Sequence, residues 1–95
     1  MFFKPNPKAL VEHKFIELFG SGHDYSITGT RLSPLACKNH GVPTGTYSVE
    51  LFVGDKLIAA ARHRDWRTAY KLLKIEVEKL YSEGFALVQS SRPAR

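Results

Sequence analysis

Residues 46–73 read TYSVELFVGDKLIAAARHRDWRTAYKLL, a β-hairpin followed by the start of a helix. Apolar side chains alternate along 47–53, and this alternation predicts a strand with one apolar face formed by Tyr47, Val49, Leu51 and Val53. Gly54-Asp55 suits a tight turn, after which residues 56–62 return as the second strand. Of all the elements, this hairpin has the clearest sequence signal.

The helix that follows the hairpin begins after Asp65, whose carboxylate suits the capping of free N–H groups. Its apolar residues recur at helical spacing and form one stripe: Trp66, Ala69, Tyr70, Leu73, Val77 and Leu80. Gly84 is expected to stop the helix. We expect residues 85–88 to dock as a short final segment of a single domain spanning 1–88, and 89–95 to form a flexible basic tail.

Upstream of the hairpin, Asn6-Pro7 predicts a helix over 7–19, with Asn as the cap and Pro in the first turn. Its apolar stripe consists of Val11, Phe15, Leu18 and Phe19. Residues 25–32 alternate and are rich in β-formers, which predicts a strand. Residues 33–44 contain two prolines and Asn39-His40-Gly41, which predict a loop.

The predicted order of elements is therefore helix, strand, strand, strand, helix. An antiparallel three-stranded sheet with both helices packed on one face is the simplest arrangement that buries these apolar stripes. The sequence thus predicts a small α+β domain.

The composition fits one soluble domain with an affinity for anions. The 95 residues carry a net charge of +5, from 14 basic and 9 acidic side chains, which favours anionic partners by long-range attraction. The single cysteine, Cys37, cannot form an internal disulfide. No stretch resembles a signal peptide or reaches membrane-spanning length, so a cytoplasmic location is expected.

The run 62–74 contains five Lys or Arg residues and one His within thirteen positions, around the predicted start of the last helix. A helix N-terminus already attracts anions through its free N–H groups and its dipole. Cations added there predict a phosphate-binding surface formed by Arg62, His63, Arg64, Arg67, Lys71 and Lys74. The alternative is an ordinary solvated face, partly neutralised by Glu76, Glu78 and Glu83.

Other candidate sites have weaker signals. Trp66 could stack on an unpaired base, but its place in the apolar stripe favours a role in the core. Cys37 and His40 are separated by two residues, but no second close pair of metal ligands accompanies them. We expect no metal, no cofactor and no catalytic residue, and we expect protonation of His63 to strengthen contact with an anion.

The segment 47–73 resembles the second half of a double-stranded RNA-binding domain. Tyr47-Ser48-Val49-Glu50-Leu51 matches the aromatic-led strand, Gly54-Asp55-Lys56 the turn, and residues 64–71 the basic start of the last helix. Asn6-Pro7-Lys8-Ala9-Leu10 resembles the entry into the first helix of that family. The resemblance implies a duplex partner, read by shape, with Arg64, Arg67 and Lys71 as phosphate contacts.

Two other interpretations remain open at this stage. The three strands and last helix are also similar to small DNA-binding domains of some integrases and plant transcription factors, in which the sheet face enters the major groove. That mode would depend on Arg31, Ser48, Glu50 and Phe52. Alternatively, Phe52 and the loop 33–45 could belong to a protein-interaction module, such as a small inhibitor or adaptor. The leading expectation is a non-enzymatic nucleic-acid-binding domain.

Overall fold

A computed structural model of the chain describes residues 6–85. Its elements are α1 (Pro7–Phe19), β1 (Tyr25–Arg31), α2 (Pro34–His40), β2 (Tyr47–Val53), β3 (Lys56–His63) and α3 (Trp66–Ser82). The three strands form one antiparallel sheet in the order β1-β2-β3. The predicted α+β fold class is confirmed, with one additional short helix. Of the predicted final segment only Phe85 is described, and the predicted tail at 89–95 lies outside the described residues.

Both long helices begin where their capping residues predict. The side-chain oxygen of Asn6 accepts a hydrogen bond from the Lys8 N–H at 2.8 Å, and α1 starts with Pro7 in its first turn. The Asp65 carboxylate accepts from both the N–H and the hydroxyl of Thr68, at 3.1 and 2.8 Å. These bonds satisfy N–H groups that have no partner within their own helices.

The core lies between the two long helices and one face of the sheet. Val11 and Phe15 of α1 are fully buried, as are Val49 and Leu51 of β2. The remaining core residues are Ile27, Ala59, Ala69, Tyr70, Leu73 and Val77. The apolar stripes predicted for both helices and for β2 therefore face one another. This packing fixes α1 against α3 and α3 against β2 and β3. The Phe15 ring of α1 also lies 5.0 Å, between ring centroids, from the Tyr25 ring of β1.

A glycine in β1 makes room for two tyrosine hydroxyl groups above the sheet. A Cβ atom placed on Gly29 would lie 2.5 Å from the Tyr70 hydroxyl and 2.8 Å from the Tyr47 hydroxyl. Tyr70 is buried, and this burial, together with the neighbouring Tyr47 phenol, raises the pKa of Tyr70 to about 12. The two rings therefore join β1, β2 and α3 through one close approach.

The prediction of a loop over 33–44 is wrong, because Pro34–His40 forms the helix α2. The Ser33 hydroxyl accepts a hydrogen bond from the Ala36 N–H at 3.1 Å, which caps α2. Gly41, with a φ of 70°, adopts the left-handed conformation that ends it. Ser33-Pro34 is thus a helix start of the same kind as Asn6-Pro7, and the glycine of Asn39-His40-Gly41 is a helix stop rather than a loop signal.

Among residues 6–85, no helix is both long enough and apolar enough to cross a membrane.

Candidate nucleic-acid interface

The start of α1 and the first half of α3 line a common groove. Its volume is about 680 Å³. Arg67, Lys71 and Lys74 of α3 line it together with the start of α1. The other lining residues are Asn6, Pro7, Leu10, Asp65, Trp66, Thr68 and Tyr70. Three of the six predicted site residues therefore meet in one concave region between two helices.

The other three predicted residues, Arg62, His63 and Arg64, lie at the junction of β3 and α3. His63 and Arg64 line two shallow depressions there, and Arg62 lines one of them. Asp65 lines both the groove and the nearer depression, so the concave regions adjoin. We call the region formed by Arg62, His63, Arg64, Arg67, Lys71 and Lys74 the cationic surface.

Most cations of this surface have no acidic partner among the described residues. In the part of the chain that the structure describes, every ion pair involves Lys14, Lys74 or Lys79, and none involves Arg62, Arg64, Arg67 or Lys71. The predicted neutralisation by glutamates is thus limited to one member of the surface. The Nζ atom of Lys74 lies 3.5 Å from a carboxylate oxygen of Glu78. Within residues 6–85, four cations of this surface therefore have no carboxylate partner that would compete with an external anion.

Asp65 is the single carboxylate that lines the groove or the depressions within the described residues. Its two hydrogen bonds with Thr68 lower the pKa of the carboxyl below its usual value, and the charges of Arg67 and His63 act in the same direction. The carboxylate is therefore engaged in capping α3. It does not form an ion pair with any cation of the surface.

His63 has a structural role at the start of α3. Its Nδ1 atom accepts a hydrogen bond from the Asp65 backbone N–H at 3.0 Å. An imidazolium ring carries a proton on Nδ1, so protonation must break this bond. The expected gain in anion binding on protonation therefore competes with a contact that orders the junction.

Trp66 packs against the core, as its place in the stripe predicts, and it also lines the groove. Its ring meets Tyr70 edge to face, at 6.1 Å between ring centroids. The guanidinium carbon of Arg67 lies 5.1 Å from the centroid of the Trp66 ring. At this distance the guanidinium and the indole form a cation–π contact, which holds the Arg67 side chain beside the groove.

Arg31 links three segments behind the cationic surface. Its guanidinium donates hydrogen bonds to the backbone oxygens of Gly45, at 2.6 Å, and Arg64, at 3.2 Å, and it lies 5.4 Å from the centre of the Tyr47 ring. Ser48, on the sheet face away from the helices, is only 6% exposed. Two residues that the sheet-face mode of DNA binding requires are therefore engaged or buried.

Nothing in the sequence indicated that α1 would line the groove. Pro7 and Leu10 line the groove, and Leu10 is 41% exposed although it is a large apolar residue. The one sequence feature that could have indicated this role is that Leu10 is apolar but lies beside the apolar stripe of α1 and not within it. Only the packing of α1 on α3 brings Leu10 beside the cations.

The cysteine and histidines form no metal site in the described residues. Cys37 is buried, and its Sγ lies 3.9 Å from the backbone oxygen of Leu32. Nowhere in residues 6–85 do three His, Cys, Asp or Glu side chains form a group that could hold a metal ion.

Comparison with known proteins yields no family model, no curated protein and no solved structure that matches the chain. The likeness to the double-stranded RNA-binding domain therefore consists of the order of the elements and the residues quoted for it.

Proposed function

We propose that this chain is a non-enzymatic nucleic-acid-binding domain that contacts the phosphate backbone through its cationic surface. The observation that carries the proposal is the absence of ion pairs at Arg62, Arg64, Arg67 and Lys71 in the described part of the chain. The carboxylates that do form ion pairs belong to Glu17, Glu76 and Glu78, in the later turns of α1 and α3. Positive charge is thus concentrated at one end of α3.

A phosphate backbone suits this arrangement for two physical reasons. Each cation that contacts a phosphate releases condensed counterions, so several exposed cations together give a favourable, salt-dependent binding energy. The positive end of the α3 dipole adds to the field of Arg67 and the neighbouring cations. The resemblance to the double-stranded RNA-binding domain favours a duplex over a single strand as the partner.

A protein-interaction module remains the second candidate, supported by the sheet face that the two long helices leave uncovered. Phe52 is half-buried on that face, and its cross-strand partner Leu57 is 48% exposed. Leu35 of α2 is also exposed, at 68%. An apolar interface of this kind should persist at salt concentrations that release a phosphate-bound partner.

The proposal predicts a specific change in the salt dependence of binding. Neutralising Arg67 and Lys71 together (R67A/K71A) should weaken binding and reduce the slope of log affinity against log salt by about 1.8, since each phosphate contact contributes about 0.9. The measurement is a fluorescence-anisotropy titration with labelled duplex RNA, duplex DNA and single strands across a salt series.

A matched control removes two cations from outside the surface. Lys56 begins β3 and Lys79 pairs with Glu76 near the end of α3, so K56A/K79A lowers the net charge equally. We expect this variant to keep nearly the full slope. If R67A/K71A and the wild type have the same salt slope, Arg67 and Lys71 do not contact the nucleic acid. No binding to any nucleic acid at low salt would favour the protein-interaction module.

A further inference from the structure

The groove between α1 and α3 has an apolar wall that binding to a phosphate backbone does not use. Pro7 and Leu10 form one side of it, and Trp66, with Arg67 over its ring, contributes to the other. Leu10 is 41% exposed, and contact with a phosphate would not stabilise this apolar side chain. Contact with a flat apolar group would stabilise it, because such a group removes the side chain from water.

The size of the groove fits a larger ligand than a single phosphate. At about 680 Å³ it falls within the range of about 300–1,000 Å³ that is typical of small-molecule sites. A ligand that fills it should therefore carry both an anionic and a planar apolar part.

The charges of the groove favour a nucleotide over a peptide with the same apolar character. Arg67, Lys71 and Lys74 line it, whereas Asp65, its single carboxylate among the described residues, is engaged with Thr68. A planar guanidinium held on an indole offers a surface on which a nucleobase can stack. Lys71 follows one turn further along the same side of α3 and forms no ion pair among the described residues, and Lys74, which pairs with Glu78, follows two turns further.

We propose that the groove receives an unpaired nucleotide, whose base packs between Leu10 and the Trp66–Arg67 pair and whose phosphate contacts Lys71 and Lys74. This inference rests on the proposed function and narrows its ligand class to a nucleic acid that has an unpaired base, such as a duplex with a single-stranded end.

The test compares three forms of one duplex: blunt, with a short unpaired overhang, and with an abasic overhang that keeps the sugars and phosphates. Stacking of a base contributes enough that the natural overhang should raise affinity at least about fivefold over the other two forms. Trp66 is the only tryptophan of the chain, so its fluorescence reports on the groove. Only the natural overhang should quench it strongly.

Two variants separate stacking from charge. R67K keeps the cation but loses the planar group, so it should lose the overhang preference and bind the natural and the abasic overhang equally. L10A should also reduce the preference, because it removes one wall of the groove. L35A truncates another exposed leucine, on α2, and should leave the preference intact.

The outcomes distinguish failure of this inference from failure of the proposed function. If binding depends on salt but the natural and the abasic overhang bind with equal affinity, the inference of a base site is overturned, while the proposal of a phosphate-binding surface is retained. If R67K and L10A both keep the preference for the natural overhang, the unpaired base binds elsewhere on the protein, and the inference is overturned. If none of the three duplexes binds at low salt, both proposals fail.

Discussion

At Gly29 the sheet leaves room for two tyrosine hydroxyl groups that a larger residue would displace. The position has no unusual backbone angle, so its need for glycine comes from space alone. Tyr47 and Tyr70 reach this position from β2 and α3. Because Gly29 has no side chain, the Tyr70 hydroxyl of α3 can lie close to β1. This contact helps to fix the position of α3 on the sheet, and with it the position of the cations at the start of α3.

We expect Gly29→Ala to lower the free energy of unfolding by about 1–3 kcal/mol, because the added methyl group must displace the hydroxyl groups of Tyr70 and Tyr47. The same substitution at an unstrained strand position would be neutral or slightly stabilising, because glycine has more freedom to lose on folding. Urea denaturation followed by circular dichroism measures the difference.

Two further variants check that the loss of stability in Gly29→Ala comes from the contact with the two tyrosines. Thr28→Ala, at an exposed position of the same strand, should change stability by less than about 0.5 kcal/mol. Gly29→Ala combined with Tyr70→Phe removes the hydroxyl closest to the new methyl group, and should recover part of the loss. A Gly29→Ala protein as stable as the wild type would show that the close approach at Gly29 is not needed.

At the scale of elements, the start of α3 depends on Asp65, whose capping bonds lower the pKa of its carboxyl. A carboxyl with a lowered pKa in the folded state stabilises the protein at pH values above its unfolded pKa, and this contribution is lost as the pH falls through the folded value. The usual value is 3.8, so the loss begins near that pH and is completed below it.

We therefore expect Asp65→Ala to lower the melting temperature at neutral pH, and the gap from the wild type to close as the pH falls below about 4. Asp65→Asn is the matched control, because asparagine caps helices about as well and does not titrate. It should keep most of the stability and show a flatter pH profile. A gap between Asp65→Ala and the wild type that stays constant down to pH 2 would contradict this account of the cap.

The elements differ in how well the sequence predicts them. For α1 and α3, caps and long apolar stripes agree, and both starts are where the sequence places them. The seven residues of α2 are too few for a stripe, and Cys37 is their one buried residue, so only the signals at its ends, Ser33-Pro34 and Gly41, could have indicated a helix. Proline and glycine mark helix ends as well as loops, and without periodicity the two meanings cannot be separated.

At the scale of the whole molecule, the cations without an ion pair among the described residues lie together at the end of β3 and the start of α3. The helices cover one face of the sheet, and the cationic surface follows their starts and the adjoining end of β3. The sequence predicted that the cations of 62–74 would lie close together because they are neighbours along the chain. It could not predict the groove or the Lys14–Glu78 contact, since both depend on how α1 packs against α3.

The central claim is that nucleic acid binds at the start of α3 and not at the sheet face. Chemical-shift mapping tests it most directly, by titrating a short RNA duplex with an unpaired end into the isotope-labelled chain. The account predicts that the backbone amide chemical shifts change along residues 62–74 and around Leu10. The amide chemical shifts of Phe52, Leu57 and Lys79 should stay unchanged. Shift changes centred on Phe52 and Leu57, with residues 62–74 unmoved, would contradict it.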